Sequence, residues 1–286
     1  MSRGTLRRSV LYEEPRPDGR SGPGSRQRPG SRTCHVLLED SELLGAVPAH
    51  VRDEAFQDCV AQIITLPPGA WPAVEAPSEL CDGLGLLILE GLLVSRVGID
   101  GRFGAELLGA GDLLRPWQEA ADALALPLST SRKVLAPTRI AVLDLAFAER
   151  AACYPQIAGQ LVARTMNRSR NLAVMMAIAH HPRVDVRLHS LFWHLAGRWG
   201  RKRVDEVLLP LPLTHSVLAD LIAARRPTVS SALADLSRRG VLTASDQGWR
   251  LTGRSPRELY PVPGLAASST STPAKSSSLE LCHGRL

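Results

Sequence analysis

The stretch from Leu213 to Leu236 restricts the fold more than any other part of the chain. Thr214 is a good N-cap for a helix over about 215–222, whose inward positions are Val217, Leu218, Leu221 and Ile222. Ala219 is small where a second helix must pack closely, and Ala223-Ala224 fills a turn. Pro227 then falls in the first turn of a second helix, where its missing N–H and fixed φ are tolerated. Within that helix Val229, Ala232, Leu233 and Leu236 face inward, leaving Arg226, Thr228, Ser230, Ser231 and Asp235 largely outward. A short helix, a tight turn and a second helix with this alternation form a helix-turn-helix pattern. Gly240, Val241-Leu242-Thr243, a turn at 245–248 and Trp249-Arg250-Leu251 add a β-hairpin wing.

The outward residues suit duplex DNA. Hydroxyls on Thr214, Ser216 and Thr228, with backbone N–H groups at the helix starts, match phosphate oxygens and would fix register. Arg226, at the start of the second helix, is placed to reach guanine O6 and N7 in the major groove. Ser230 and Ser231 are short enough to meet a base edge or a phosphate, and Arg225 and Arg250 add backbone contacts.

Upstream, Asp185 to Gly200 reads as a helix carrying Val186, Leu191, Leu195 and Trp199, closed by Arg201-Lys202-Arg203 at the negative end of its dipole. A longer helical period runs from Tyr154 to His181 and stops at Pro182. Its apolar positions Ile157, Leu161, Leu172, Met175 and Met176 form the expected dimer interface. From about 60 to 145 the pattern changes to short apolar runs between turns such as 67–69, 98–101 and 109–112, the spacing of an antiparallel β-sandwich or barrel. An Ala-rich stretch, Arg115 to Leu126, predicts a helix between strands. Before the strands, Ser41 to Cys59 carries helix signals divided by Pro48.

The full chain has 286 residues, room for two ordinary domains plus tails, and a formal charge of +6, a modest bias toward anionic partners. Its five cysteines form no C-x-x-C pair, so no structural zinc is expected. Met1 to Val10 has no apolar core of a secretory signal, and Gly83 to Val94 is too short to span a bilayer; a cytoplasmic protein is expected. There is no Gly-rich phosphate loop, metal-ligand spacing or nucleophile elbow, so neither an enzyme nor a bound cofactor is expected, and His180-His181 reads as a helix end.

The order of parts resembles the Crp/Fnr family of bacterial transcription regulators. Leu213-Thr214, Leu218-Ala219-Asp220, Thr228-Val229-Ser230 and Leu233 stand where that family's signature has them. Gly109-Ala110-Gly111-Asp112 and the strand from Val134 to Asp144 are similar to its cyclic-nucleotide-binding β-roll. The resemblance covers about 37–253 and is strongest from 184 onward. It implies dimers on palindromic operators, read through the second helix, and recruitment or blocking of RNA polymerase. It also implies that Arg226 is a base-reading arginine, while Pro227 replaces the usual Glu and Ser231 a later base-reading Arg, so a different half-site is expected. Nucleotide binders of the family carry Gly-Glu after the Gly-Asp turn and an Arg-Ser pair for the phosphate. Here Leu113-Leu114-Arg115-Pro116 follows the turn and Leu128-Ser129 aligns with the Arg-Ser pair, so cyclic AMP binding in the family manner is not expected. The cysteine cluster of iron–sulfur members is missing, and no histidine is singled out as a haem ligand. The small-molecule effector stays unknown.

The expected fold is α+β: a basic disordered arm at 1–33, a double-stranded β-helix or jelly-roll-like sensor domain at 34–152, a dimerisation helix at 153–182, a winged helix-turn-helix at 183–253 and a disordered tail at 254–286. The expected partners are double-stranded DNA and a second copy of the chain. Two alternatives stay open: a β-roll that serves only as scaffold, and a signalling module whose winged domain binds protein rather than DNA.

Overall fold

The computed structural model describes residues 32–71, 82–116 and 128–256. The arm, apart from its last two residues, and the tail beyond 256 lie outside the described residues, as does the helix expected within 115–126 apart from Arg115 and Pro116. The first described element is β1 at Arg32–His35.

Three short helices follow, α1 at Val36–Glu39, α2 at Ser41–Ala46 and α3 at Arg52–Asp58, the last two divided at Pro48 as the sequence suggested. Then come β2 at Val60–Leu66, β3 at Gly69–Trp71, β4 at Gly85–Ile99, β5 at Arg102–Gly109, β6 at Leu113–Leu114 and β7 at Leu128–Leu143. Among the described residues they make one seven-stranded antiparallel sheet in the order β1-β2-β7-β4-β5, with β3 on β7 and β6 on β4. It is not a closed barrel: strands β4 and β7 pair from Gly85↔Leu143 to Ile99↔Leu128, with register shifts between Ile88 and Leu93 that bend the sheet. The β4–β5 hairpin closes on Asp100-Gly101, both at positive φ, the backbone that two-residue hairpin turns favour.

Strand β4 is buried along most of its length because its side chains enter three different cores. Leu87 packs with the N-terminal helices, Leu86, Ile88 and Leu93 form a small core within the sheet, and Leu92 and Val94 join the core of the C-terminal module. An almost unbroken apolar run is what a strand covered on both faces requires.

Helix α4 at Leu145–Ala151, capped by the Asp144 carboxylate on the Phe147 N–H (2.9 Å), leads to α5 at Pro155–His180. Helix α5 has 26 residues, about 39 Å at 1.5 Å per residue. Two of its expected dimer residues have another role: Ile157 and Leu161 are 1% and 4% exposed, packed among the side chains of α1–α3. Met175 packs partly against the C-terminal core. The apolar face left open is a different one, with Val162, Met166 and Met176 at 58%, 65% and 62% exposure and Leu172 at its edge. Apolar spacing alone cannot separate these faces, because the helix carries apolar residues on both.

Arginines on the buried side pin α5 to the sheet domain. Arg164 makes two bonds to Asp40 (2.5 and 2.8 Å), Arg168 pairs with Glu106, and Asp40 also accepts the Leu43 N–H as cap of α2. Burial works to raise the Asp40 pKa, but the bonds from Arg164 and Leu43 outweigh it and hold the carboxyl below its ordinary value. A depressed folded-state pKa gives stability that is complete above the unfolded value, near pH 3.9, and is lost as pH falls through the folded one. The urea midpoint should therefore fall as pH drops below about 4, and Asp40→Asn should flatten that acid limb.

Helix α6 at Val184–Trp199 opens the C-terminal module, followed by β8 at Arg201–Lys202, β9 at Glu206–Leu209, α7 at His215–Leu221, α8 at Arg226–Arg238, β10 at Leu242–Ser245 and β11 at Gly248–Thr252. The wing is a four-stranded sheet, β10-β11-β9-β8, rather than a lone hairpin. Arg201 and Lys202 pair with Leu208 and Val207 as its edge, instead of merely ending α6.

Candidate nucleic-acid interface

Helix α7 starts where Thr214 turns extended and its Oγ accepts the Val217 N–H (3.3 Å). Val217, Leu218, Ala219 and Leu221 are buried beneath it, and Ile222 follows in the same core. The chain then reverses at Ala223, at φ 51, a conformation costing roughly 1–2 kcal/mol for a residue with a Cβ. Two contacts hold that turn: the Ala224 N–H donates to Ala219 O (2.9 Å), and the Arg187 guanidinium donates to Ile222 O and Ala223 O (3.1 and 3.4 Å).

Helix α8 begins with Arg226-Pro227 and buries Val229, Leu233 and Leu236. Arg225, Arg226, Thr228 and Ser231 are exposed around its N-terminal end, with Thr214 and Ser216 exposed on α7 and Arg250 on β11. Ser231 Oγ donates back to Pro227 O (3.2 Å), a weak local bond that solvent or a ligand can replace. Ser230 differs from expectation. It is half-buried, its Oγ donating to Arg226 O (3.1 Å) and lying 2.9 Å from His215 Nδ1, so it fastens α8 to α7. His215 was invisible to sequence reasoning as a partner, because fifteen residues and a turn separate it from Ser230.

Charge is divided along α8. At its C-terminal end Arg238 pairs with Asp235 and Arg239 with Asp235 and Asp185. Arg225, Arg226 and Arg250 have no carboxylate partner among the described residues, and α8 has no acidic residue in its first turn. Unpaired guanidiniums at the positive end of a helix dipole, flanked by exposed hydroxyls, make a surface for an anionic backbone. The expected dimer residues stand apart on α5, divided between the two faces described above. Among the described residues no three His, Cys, Asp or Glu side chains converge as a metal site, and no helix is long and apolar enough to cross a membrane.

Residues 186–260 match the model of the Crp-like helix-turn-helix domain. Among solved structures, a cyclic nucleotide-binding domain containing protein from Listeria monocytogenes is similar, with a TM-score of 0.56 and 14% identity over 75% of this chain and 97% of that one. A CooA mutant from Carboxydothermus hydrogenoformans gives 0.53 at 17% identity over 76% and 89%. FixK2 from Bradyrhizobium japonicum gives 0.51 at 18% over 69% and 94%. A sequence search of curated proteins finds no match. The solved structures share the fold, and the sequence model identifies the C-terminal module as a Crp-like helix-turn-helix domain.

Proposed function

We propose that this chain is a sequence-specific transcription regulator that grips a two-fold symmetric operator as a homodimer, with α8 of each copy in the major groove. The observation that carries this reading is the pair of carboxylate-free arginines, Arg225 and Arg226, at an exposed helix start, with a third, Arg250, exposed on β11 of the wing. Arg226 reads a base edge, while Arg225, Arg250, Thr214, Ser216 and Thr228 hold phosphates. Ser231 adds a short contact; Ser230 acts indirectly, through His215.

The second copy docks along α5. Val162, Met166, Ala173 and Met176 recur at helical spacing on the side opposite Ile157, Arg164 and Arg168, with Leu172 at the margin. This stripe replaces the sequence-derived set of Ile157, Leu161, Leu172, Met175 and Met176. The sensor sheet does not hold cyclic AMP in the family manner: Leu128 and Ser129, at the Arg-Ser position, begin β7 opposite Ile99 and Gly98 and supply no cation. Transcription is altered by recruiting or blocking RNA polymerase, and the chain performs no catalysis of its own.

Mobility shifts on selected genomic fragments test the reading. Affinity should fall steeply between 50 and 200 mM salt, by roughly 10³–10⁵ for six to ten phosphate contacts. Arg226→Ala should cost about 1–3 kcal/mol and relax preference at one base pair. A uniform loss across all sequences would make Arg226 a phosphate contact, and salt-insensitive capture of a protein would favour the signalling-module alternative.

A further inference from the structure

Ser230 and Ser231 are neighbours on α8 with the same side chain and the same local bond. Each hydroxyl donates to the carbonyl four residues back, Ser230 to Arg226 O at 3.1 Å and Ser231 to Pro227 O at 3.2 Å. A serine bond of this kind is weak and easily exchanged for water. The two then part. Ser231 faces solvent, whereas Ser230 is half-buried with its Oγ 2.9 Å from His215 Nδ1 on α7. Among the described residues only Ser230 of the pair is tied to the other helix.

The direction of that tie follows from counting protons. A serine hydroxyl has one, and in Ser230 it goes to Arg226 O. The Ser230 oxygen therefore meets His215 as an acceptor, and the imidazole donates through Nδ1–H. Neutral imidazole with its proton on Nδ1 can do this, and so can imidazolium, so the tie needs no particular charge. The result is a relay from His215 Nδ1–H to Ser230 Oγ–H to Arg226 O. It ends on the carbonyl that also accepts the helical bond from the Ser230 N–H. Hydrogen bonds in series strengthen one another, so this pair is firmer than the lone Ser231 bond.

Arg226 opens α8 beside the exposed Arg225 and Thr228, and Pro227 has no N–H with which to hold the first turn. Val217 and Leu218 of α7 share one core with Val229 and Leu233 of α8, which keeps the helices together. Apolar burial is non-directional, however, and leaves the aim of an exposed first turn to polar contacts. We propose that His215 is a positioning residue for base recognition: through Ser230 it fixes the peptide of Arg226, and with it the direction in which that guanidinium enters the groove. This rests on the DNA-binding reading above and adds what sets its selectivity. His215 itself meets neither base nor phosphate, so its loss blurs sequence preference without weakening the grip on the backbone.

Mobility shifts of the full chain compare the selected operator, its single-base variants and an unrelated duplex, for His215→Phe, His215→Asn and Ser230→Ala, each checked for unchanged melting. Phenylalanine keeps the ring and removes the donor, while asparagine returns an N–H near the place of Nδ1. His215→Phe and Ser230→Ala should each cut discrimination at the base pair read by Arg226 by roughly three- to tenfold, the size of one hydrogen bond. Combining them should cut it no further. His215→Asn should stay close to the parent, and neither the salt slope nor binding to the unrelated duplex should change. Unchanged discrimination in His215→Phe, additive losses, or a shallower salt slope, the mark of a phosphate contact, overturns the proposal. The tautomer is read without DNA, by long-range nitrogen–proton correlation at about pH 8, where free imidazole is neutral. A proton on Nδ1 supports the relay and one on Nε2 overturns it, whether or not the variants fold. A parent chain that shifts no DNA yet carries its proton on Nδ1 would remove the DNA-binding reading, and base positioning with it, and keep only the tie between the helices.

Discussion

Truncating Phe192 to alanine should destabilise the C-terminal module by about 3–5 kcal/mol, a large part of the 5–15 kcal/mol that holds an ordinary domain together. Phe192 is fully buried on α6, its ring centroid 4.9 Å from that of Trp249 on β11, and it shares the core of α7 and α8. The gap left behind would lie between a helix and the inner strand β11 of the wing sheet, which cannot easily collapse to fill it. A shift of roughly 12–40 °C in the module's melting temperature follows for a unit of about 60–100 residues. The cores around Phe147 and Ile140 do not include Phe192, so the variant should melt in two steps, winged module first. Calorimetric scanning reads this directly. A single transition lowered by only a degree or two would show that the aromatic pair is not the keystone of that core.

Val162→Glu combined with Met166→Glu should leave the monomer folded and take the operator complex apart. Both side chains are more than half exposed in the single chain, so carboxylates there meet water and cost the monomer little. In a dimer packed along α5 the same carboxylates would be buried without partners, which is strongly unfavourable. Two half-sites bound by separate monomers lose the gain of linkage, so affinity for a two-fold site should drop by roughly 10²–10⁴. Sedimentation velocity and mobility shifts on one preparation check both parts. A dimer that survives the double substitution would place the interface elsewhere, whereas the same change at Ile157 should unfold the sheet domain instead.

The contrast between Val162 and Ile157 shows where the amino-acid order was informative. Helices α7 and α8 were legible nearly to the residue because their ends carry local chemistry: the Thr214 cap, and Pro227 where a proline costs nothing. The end of α5 was legible for the same reason, with Pro182 just beyond it. Which face of α5 the chain keeps for itself was not, since that depends on helices α1–α3, more than a hundred residues upstream. Arg164 and Arg168 stand between the apolar positions of α5, and only the fold shows that they reach Asp40 and Glu106. The wing showed its hairpin through the 245–248 turn but hid β8 and β9, because Arg201-Lys202 and Glu206–Leu209 carry no pattern stronger than a helix end and a short apolar run. The two-sided burial of β4 gave an apolar run that shows a covered strand without showing what covers it. At the candidate interface, exposure of Arg226, Thr228 and Ser231 followed from periodicity, whereas the half-buried position of Ser230 and its contact with His215 needed the fold.

The central claim, that the uncovered side of α8 occupies a groove of duplex DNA, is tested most directly by hydroxyl-radical footprinting of the full chain on a selected fragment. Two protected patches on one face of the duplex, about 10 base pairs apart between centres, with sequence discrimination lost at a single position in Arg226→Ala, are the result expected. Protection that is absent, confined to one patch, or unchanged in strength and selectivity by Arg226→Ala would contradict it.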